Sequence, residues 1–258
     1  MSKLAAQDKF LDLSDYGRPF AIFIANQLKY TRFTPIHVTL LFGLSGLMAI
    51  FCILQGYYYG ASFFIILKSI LDAADGELSR VKSTPSYTGR YLDSVFDIIL
   101  NALFLAAIAY VSKTNVFLTF GAFIAIQLQG TLYNYYYVIL RHKSVGGDAT
   151  SKIFENAAPK AFPNESQAAV DVLFKLYSIL YGVFDKTIQA FDKKADRVST
   201  FPNWFMTFLS IYGLGFQLLI MAVMLPLHLT AYIIPFFIMY SLFLFVFIGI
   251  RRTLLRPI

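Results

Sequence analysis

Four aspartates at helix-compatible spacings are the residues of this chain best suited to chemistry. Asp72 and Asp75 are three apart, and Asp93 and Asp97 are four apart, so on helices each pair shares a face. Gly76, Ser79, Arg80 and Gly89 stand among them, at the edge of two hydrophobic segments. The short reversal over residues 83–89 makes those segments antiparallel neighbours, with all four carboxylates facing each other at one depth. Carboxylates are costly next to lipid, and several that converge need a cation. Arg80 and Lys68 offset only part of the charge. A divalent ion, or two, resolves the rest, and all-oxygen ligation points to Mg²⁺ or Mn²⁺ rather than zinc. Paired metals are a recurrent device of phosphoryl chemistry. Gly76 and Gly89 would let a bulky ligand approach the backbone, and Arg80 could hold a phosphate oxygen. Helix-end residues pairing with nearby Lys and Arg would explain any one of these aspartates, but poorly explain four aspartates, two glycines and an arginine in order.

The elements that must carry them are membrane helices. Hydrophobic residues make up 57% of the 258 residues and charged ones 14%, well below the roughly 25% charged residues of soluble domains. The mean hydropathy is +0.61. Six spans of bilayer length read at about 37–56, 58–79, 90–112, 115–140, 203–225 and 230–250. The net charge of +7 is explained by orientation rather than by nucleic acid. The N-terminal 36 residues, the 80–90 loop, the 141–202 segment and the C-terminal tail hold nearly all Lys and Arg, including Lys3, Lys152 and Arg256, while the other side receives only Lys113. That asymmetry places both termini and the aspartates in the cytoplasm. The first ten residues have no apolar run, so no signal peptide is expected. Cys52 is the lone cysteine and reads as an apolar helix residue.

Two cytoplasmic stretches, 16–30 and 166–193, repeat apolar residues every three or four positions and read as amphipathic helices, lying in the headgroup layer or on the protein's own surface. In the second, Tyr177 and Tyr181 fall on the apolar face and Asp185 elsewhere. Residues 144–165 read as a polar loop. Tyr133, Tyr135, Tyr136 and Tyr137 read as an interface belt, and Pro235 as a kink in the sixth span. His37, His142 and His228 are scattered and carry no catalytic role. Residues 1–36 thus form an N-terminal cytoplasmic or interfacial segment, and 37–258 the membrane domain with its cytoplasmic segment 141–202.

The run Asp72-x2-Asp75-Gly76-x2-Ser79-Arg80-x8-Gly89-x3-Asp93-x3-Asp97 resembles the signature of the CDP-alcohol phosphatidyltransferases. Ser79 stands where that family usually has Ala, and Ile98 where many relatives have Arg or Lys. Thr34-Pro35-Ile36-His37-Val38-Thr39 resembles the family's usual T-P-N-x-x-T stretch before the first span. The resemblance implies an all-α integral membrane enzyme with six transmembrane helices and one or two interfacial helices, forming a homodimer. It implies Asp72, Asp75 and Asp93 as metal ligands, Asp97 as the base that also touches metal, and Gly76, Ser79, Arg80 and Gly89 as donor contacts. Two Mg²⁺ or Mn²⁺ ions would serve each site. Lys68, Arg141 and Lys143 could contact an anionic acceptor or a substrate phosphate, although local pairing or the positive-inside pattern also explains them.

The expected reaction transfers a phosphatidyl group from CDP-diacylglycerol to an alcohol with release of CMP, in phospholipid synthesis in the plasma membrane of a prokaryote. A CDP-amino alcohol acting on diacylglycerol is the second enzyme reading. A cation-coupled transporter is the alternative from another class, and it predicts carboxylates at the bilayer midplane.

Overall fold

The computed structural model describes residues 4, 6–144, 155, 157–163, 165–198 and 200–255. Most of the 144–165 loop, and Lys3, Lys152 and Arg256, lie outside them. Among the described residues ten α-helices follow in order: α1 (Arg18–Leu28), α2 (Pro35–Leu54), α3 (Tyr58–Val81), α4 (Tyr87–Ser112), α5 (Val116–Lys143), α6 (Gln167–Phe191), α7 (Asn203–Leu209), α8 (Leu214–Met224), α9 (Thr230–Tyr240) and α10 (Phe243–Leu254). No strand occurs among the described residues. The chain is an all-α integral membrane protein, and its helices start where the sequence supplies caps. Thr34 and His37 form a capping box ahead of Pro35 at the start of α2, which gives His37 a structural task. Ser86 caps α4 by accepting from the Gly89 N–H at 2.8 Å, and Asn115 caps α5 through the Phe117 N–H at 2.7 Å.

Five helical stretches are long and apolar enough to cross a membrane, or six if the α7–α8 pair, bent by 51°, is one span. The membership differs from the sequence expectation. Residues 167–191, expected to be interfacial, qualify, whereas α3 does not. The reason is compositional: α3 carries Lys68 near its middle and Asp72, Asp75, Glu77 and Arg80 in its second half. It is nevertheless enclosed, packing against α1, α2 and α8. The expected span 203–225 is broken at Gly213. The expected span 230–250 is interrupted at residues 241–242 rather than at Pro235, where the Ser241 hydroxyl donates back to the Ile238 carbonyl at 2.6 Å and competes with the helical pattern.

The main core joins α2, α3, α4, α5, α8 and α9 through residues such as Phe42, Ile65, Phe104, Ala122, Met221 and Phe237. Close approach of α4 to α2 depends on Gly46, where a Cβ would lie 2.7 Å from the Leu100 side chain. Small residues at such contacts let membrane helices approach closely, and here Gly46 of α2 leaves room for the Leu100 side chain of α4. Large apolar side chains such as Leu40, Leu44, Leu47 and Phe51 of α2 stay exposed, as lipid-facing residues must. In α1 the buried face is Ala21 and Ala25, packed on Ala74 and Leu78 of α3, while Phe20 and Phe23 point outward.

A second core of Tyr136, Ile188, Phe205, Tyr212 and Phe247 joins α5, α6, α7 and α10. The tyrosines expected to form an interface belt lie inward instead. Tyr135 and Tyr136 are buried, and the Tyr133 hydroxyl donates to Asp12 at 2.5 Å. The Ser14 carbonyl seats against Gly215, where a Cβ would come within 1.9 Å of it.

Candidate active site

The spacing on α3 and α4 does bring carboxylates together, but it sorts the four into two groups. Asp72, Asp75 and Asp93 each offer an oxygen within 4.8 Å of the other two, near the about 4 Å that spans an ion with bonds of about 2.1 Å. Asp75 is buried and accepts from the Thr39 hydroxyl at 2.7 Å. Thr39 closes the T-P-x-x-x-T stretch, so that motif both caps α2 and orients a carboxylate of α3. Asp93 Oδ1 is buried with no hydrogen-bond partner among the described residues. An orphaned anionic oxygen beside two further carboxylates is the arrangement a divalent cation completes, and the residues present fit such an ion.

Asp97 belongs to the second group. It is paired with Lys68, whose ammonium also bonds Asp72 at 2.7 Å. Lys68 is 1% exposed and lies 4.6 Å from the centroid of the Phe42 ring. One turn before Asp72 on the same helix, it bridges the carboxylates of α3 and α4. Three aspartates therefore converge, and the fourth joins them through a buried cation.

The other expected site residues are placed as follows. Arg80 pairs with Glu77 at 2.7 Å, and its guanidinium passes over Gly76, where a Cβ would lie 3.6 Å from it. The Ser79 hydroxyl donates to the Thr84 carbonyl at 2.8 Å, and Gly89 sits in the first turn of α4. Arg141 lines the cavity that holds Asp97. Lys143 does not: its ammonium donates to the carbonyls of Asp196, at 2.7 Å, and of Val198.

Two groups outside the spans brace this end of the bundle. Burial disfavours the charge of Arg18, but Asp15 and Glu77, with which it pairs, outweigh that and hold its guanidinium above its ordinary range. Burial likewise opposes ionisation of Glu165. Hydrogen bonds from the Ser86 hydroxyl (2.7 Å) and from the Thr88 (2.7 Å) and Tyr87 (3.1 Å) N–H groups outweigh it and hold the carboxyl below the usual range. Its negative charge also sits at the positive end of α4.

A cavity of about 380 Å³ opens beside Asp72 and Asp97. Several of its walls were not singled out in the sequence. Asn101 lines it and continues the Asp93–Asp97 row by four residues, so the same spacing could have found it. Gln127 comes from α5 and Asp12 from the N-terminal segment, and no local signal marks either. Asp185 lines it together with Tyr177 and Tyr181. It follows Tyr181 by four residues and so shares its face, which corrects its assignment to the polar side of the helix.

Residues 32–161, half of the chain, match the CDP-alcohol phosphatidyltransferase family. The matched segment includes α2 to α5 and all four aspartates. No curated protein matches the chain.

Proposed function

The chain belongs to the CDP-alcohol phosphatidyltransferase family, and from that premise we propose that it transfers a phosphatidyl group from CDP-diacylglycerol to an alcohol and releases CMP. Membership itself implies transfer from a CDP-alcohol to an alcohol at a membrane, and the family uses divalent metals. The observation that supports metal-dependent transfer at this site is the unpartnered, buried Asp93 oxygen beside those of Asp72 and Asp75.

In this reading Asp72, Asp75 and Asp93 hold Mg²⁺ or Mn²⁺, with Thr39 orienting Asp75. The bound ions supply positive charge to the donor's pyrophosphate. Gly76 leaves room on α3, and Arg80 above it faces the donor's phosphates; Ser79 and Gly89 complete that wall. Asp97 takes the proton of the acceptor hydroxyl. The hydroxyl oxygen bonds the β-phosphorus as the bond to the CMP oxygen breaks. Lys68, held between Asp72 and Asp97, fixes the base relative to the α3 carboxylates and supplies the one ammonium among them.

CMP release by the purified protein with CDP-diacylglycerol, Mg²⁺ and a panel of alcohols tests the reading. Release that stops on chelation and resumes with Mg²⁺ is expected. Turnover that persists without divalent metal would overturn the site assignment.

A further inference from the structure

The nature of the alcohol can be read from α6, an inference that rests on the transferase reading. This helix lies beyond the family-matched residues, yet it walls the cavity that holds Asp97. Tyr177, Tyr181 and Asp185 form a row on one face of α6, and all three line that cavity. The two rings stack with centroids 5.1 Å apart. The Tyr181 hydroxyl donates to the Ser94 carbonyl at 2.9 Å, which fixes the row against α4 three residues from Asp97.

Asp185 has no hydrogen bond or ion pair among the described residues. A carboxylate in a helix long and apolar enough to cross a membrane is costly unless a positive charge meets it. Tyrosine faces attract the same charge. Gln127, on the opposite helix α5, supplies an independent sign of a guest. It is 5% exposed, lines the same cavity, and its side-chain nitrogen has no hydrogen-bond partner among the described residues. Such a cavity suits a polar guest rather than acyl chains. Five carboxylates and two guanidinium groups line it, and Asp185 is the carboxylate among them that the metal and base roles, and the pairings of Asp12 and Asp15, leave unused.

We propose that the α6 face receives the ammonium group of an amino alcohol, held by Asp185 beside Tyr177 and Tyr181. The ammonium arrives on a free acceptor or on a CDP-linked donor. In the first case the amino alcohol's hydroxyl oxygen bonds the donor's β-phosphorus, its proton passes to Asp97, and CMP departs. In the second the hydroxyl of diacylglycerol does the same.

Full-length protein in lipid nanodiscs with Mg²⁺ distinguishes these cases. One arm offers CDP-diacylglycerol with choline, ethanolamine, glycerol or glycerol 3-phosphate; the other offers CDP-choline with diacylglycerol. Release of CMP with an ammonium-bearing substrate in one arm is expected. Asp185→Asn should raise KM for that substrate at least tenfold and leave KM for its co-substrate unchanged, while Asp185→Glu restores most of the affinity. Preference for glycerol or glycerol 3-phosphate, or an unchanged KM in Asp185→Asn, would overturn the ammonium site and leave the transferase reading standing. If neither arm releases CMP, calorimetric titration of choline and ethanolamine decides the site alone. Binding lost in Asp185→Asn upholds it; no binding to the unaltered protein overturns it.

Discussion

Two ionic clusters are buried in this molecule, and their charge balances differ. At the end of α6, Asp192 is 1% exposed and faces Arg251, 2% exposed. The guanidinium pairs with both carboxylate oxygens, its Nε donating at 2.5 Å, and the Tyr136 hydroxyl adds a bond at 2.5 Å. One buried anion meets one buried cation, with the exposed Arg252 3.9 Å away, and the node ties α5, α6 and α10 together. On α3 and α4, four aspartates share one ammonium, Lys68, and one hydroxyl, Thr39. The comparison teaches how to tell scaffold from site. A cluster that closes on itself stabilises the fold, whereas one left with excess charge needs partners from outside the chain.

The sharpest test of that contrast is functional. Asp97→Asn should cut CMP release about 10²–10⁴-fold while donor binding persists, because the three converging carboxylates remain. Loss of donor binding in equilibrium titrations would show that Asp97 does more than take the proton. The same change at the closed node should act on folding. Asp192→Asn leaves Arg251 buried without its counter-charge and should cost about 3–5 kcal/mol, measured by denaturation in detergent micelles. An unchanged midpoint would erase the distinction between the clusters.

A smaller effect separates them by ligand. Mg²⁺ at about 100 times its dissociation constant should add about 2.7 kcal/mol of stability, and Asp93→Asn should remove that gain. Asp192→Asn should keep it, lowering the midpoint equally with and without the ion.

The smallest expected effect concerns Glu165, a half-exposed counterpart of the closed node. Its folded-state pKa is depressed, so its contribution is complete above the unfolded value of about 4.3 and is lost as pH falls through the lower folded one. Glu165→Gln should cost about 1 kcal/mol at neutral pH, and the difference from the unaltered chain should vanish in acid. A difference that persists in acid would mean that packing, not charge, holds the α4 terminus.

Much of the site was legible in the chain because its pattern is local. Asp72, Asp75, Asp93 and Asp97 fall on two helices joined by a five-residue turn, so spacing alone nearly dictates their meeting. Thr39 was visible within a motif, but its bond to Asp75 spans 36 positions. Lys68 illustrates the limit from another side. Its place one turn before Asp72 was plain, while the choice between a carboxylate and a substrate phosphate was open until α4 brought Asp97 to it. The helix over residues 167–191 was legible as amphipathic, yet its apolar face turned out to be a cavity wall.

Composition and periodicity by themselves determined that the chain is an all-α membrane protein with a carboxylate motif on two neighbouring helices, because hydropathy and the 3.6-residue repeat act within one segment. The tertiary structure alone decided that Asp97 is held by Lys68, that Asp192 is matched by Arg251, and that Asp185 faces the site. The two pairs join residues 29 and 59 positions apart, Asp185 shares a cavity with Asp97, and only helix packing sets which side chains meet across such distances.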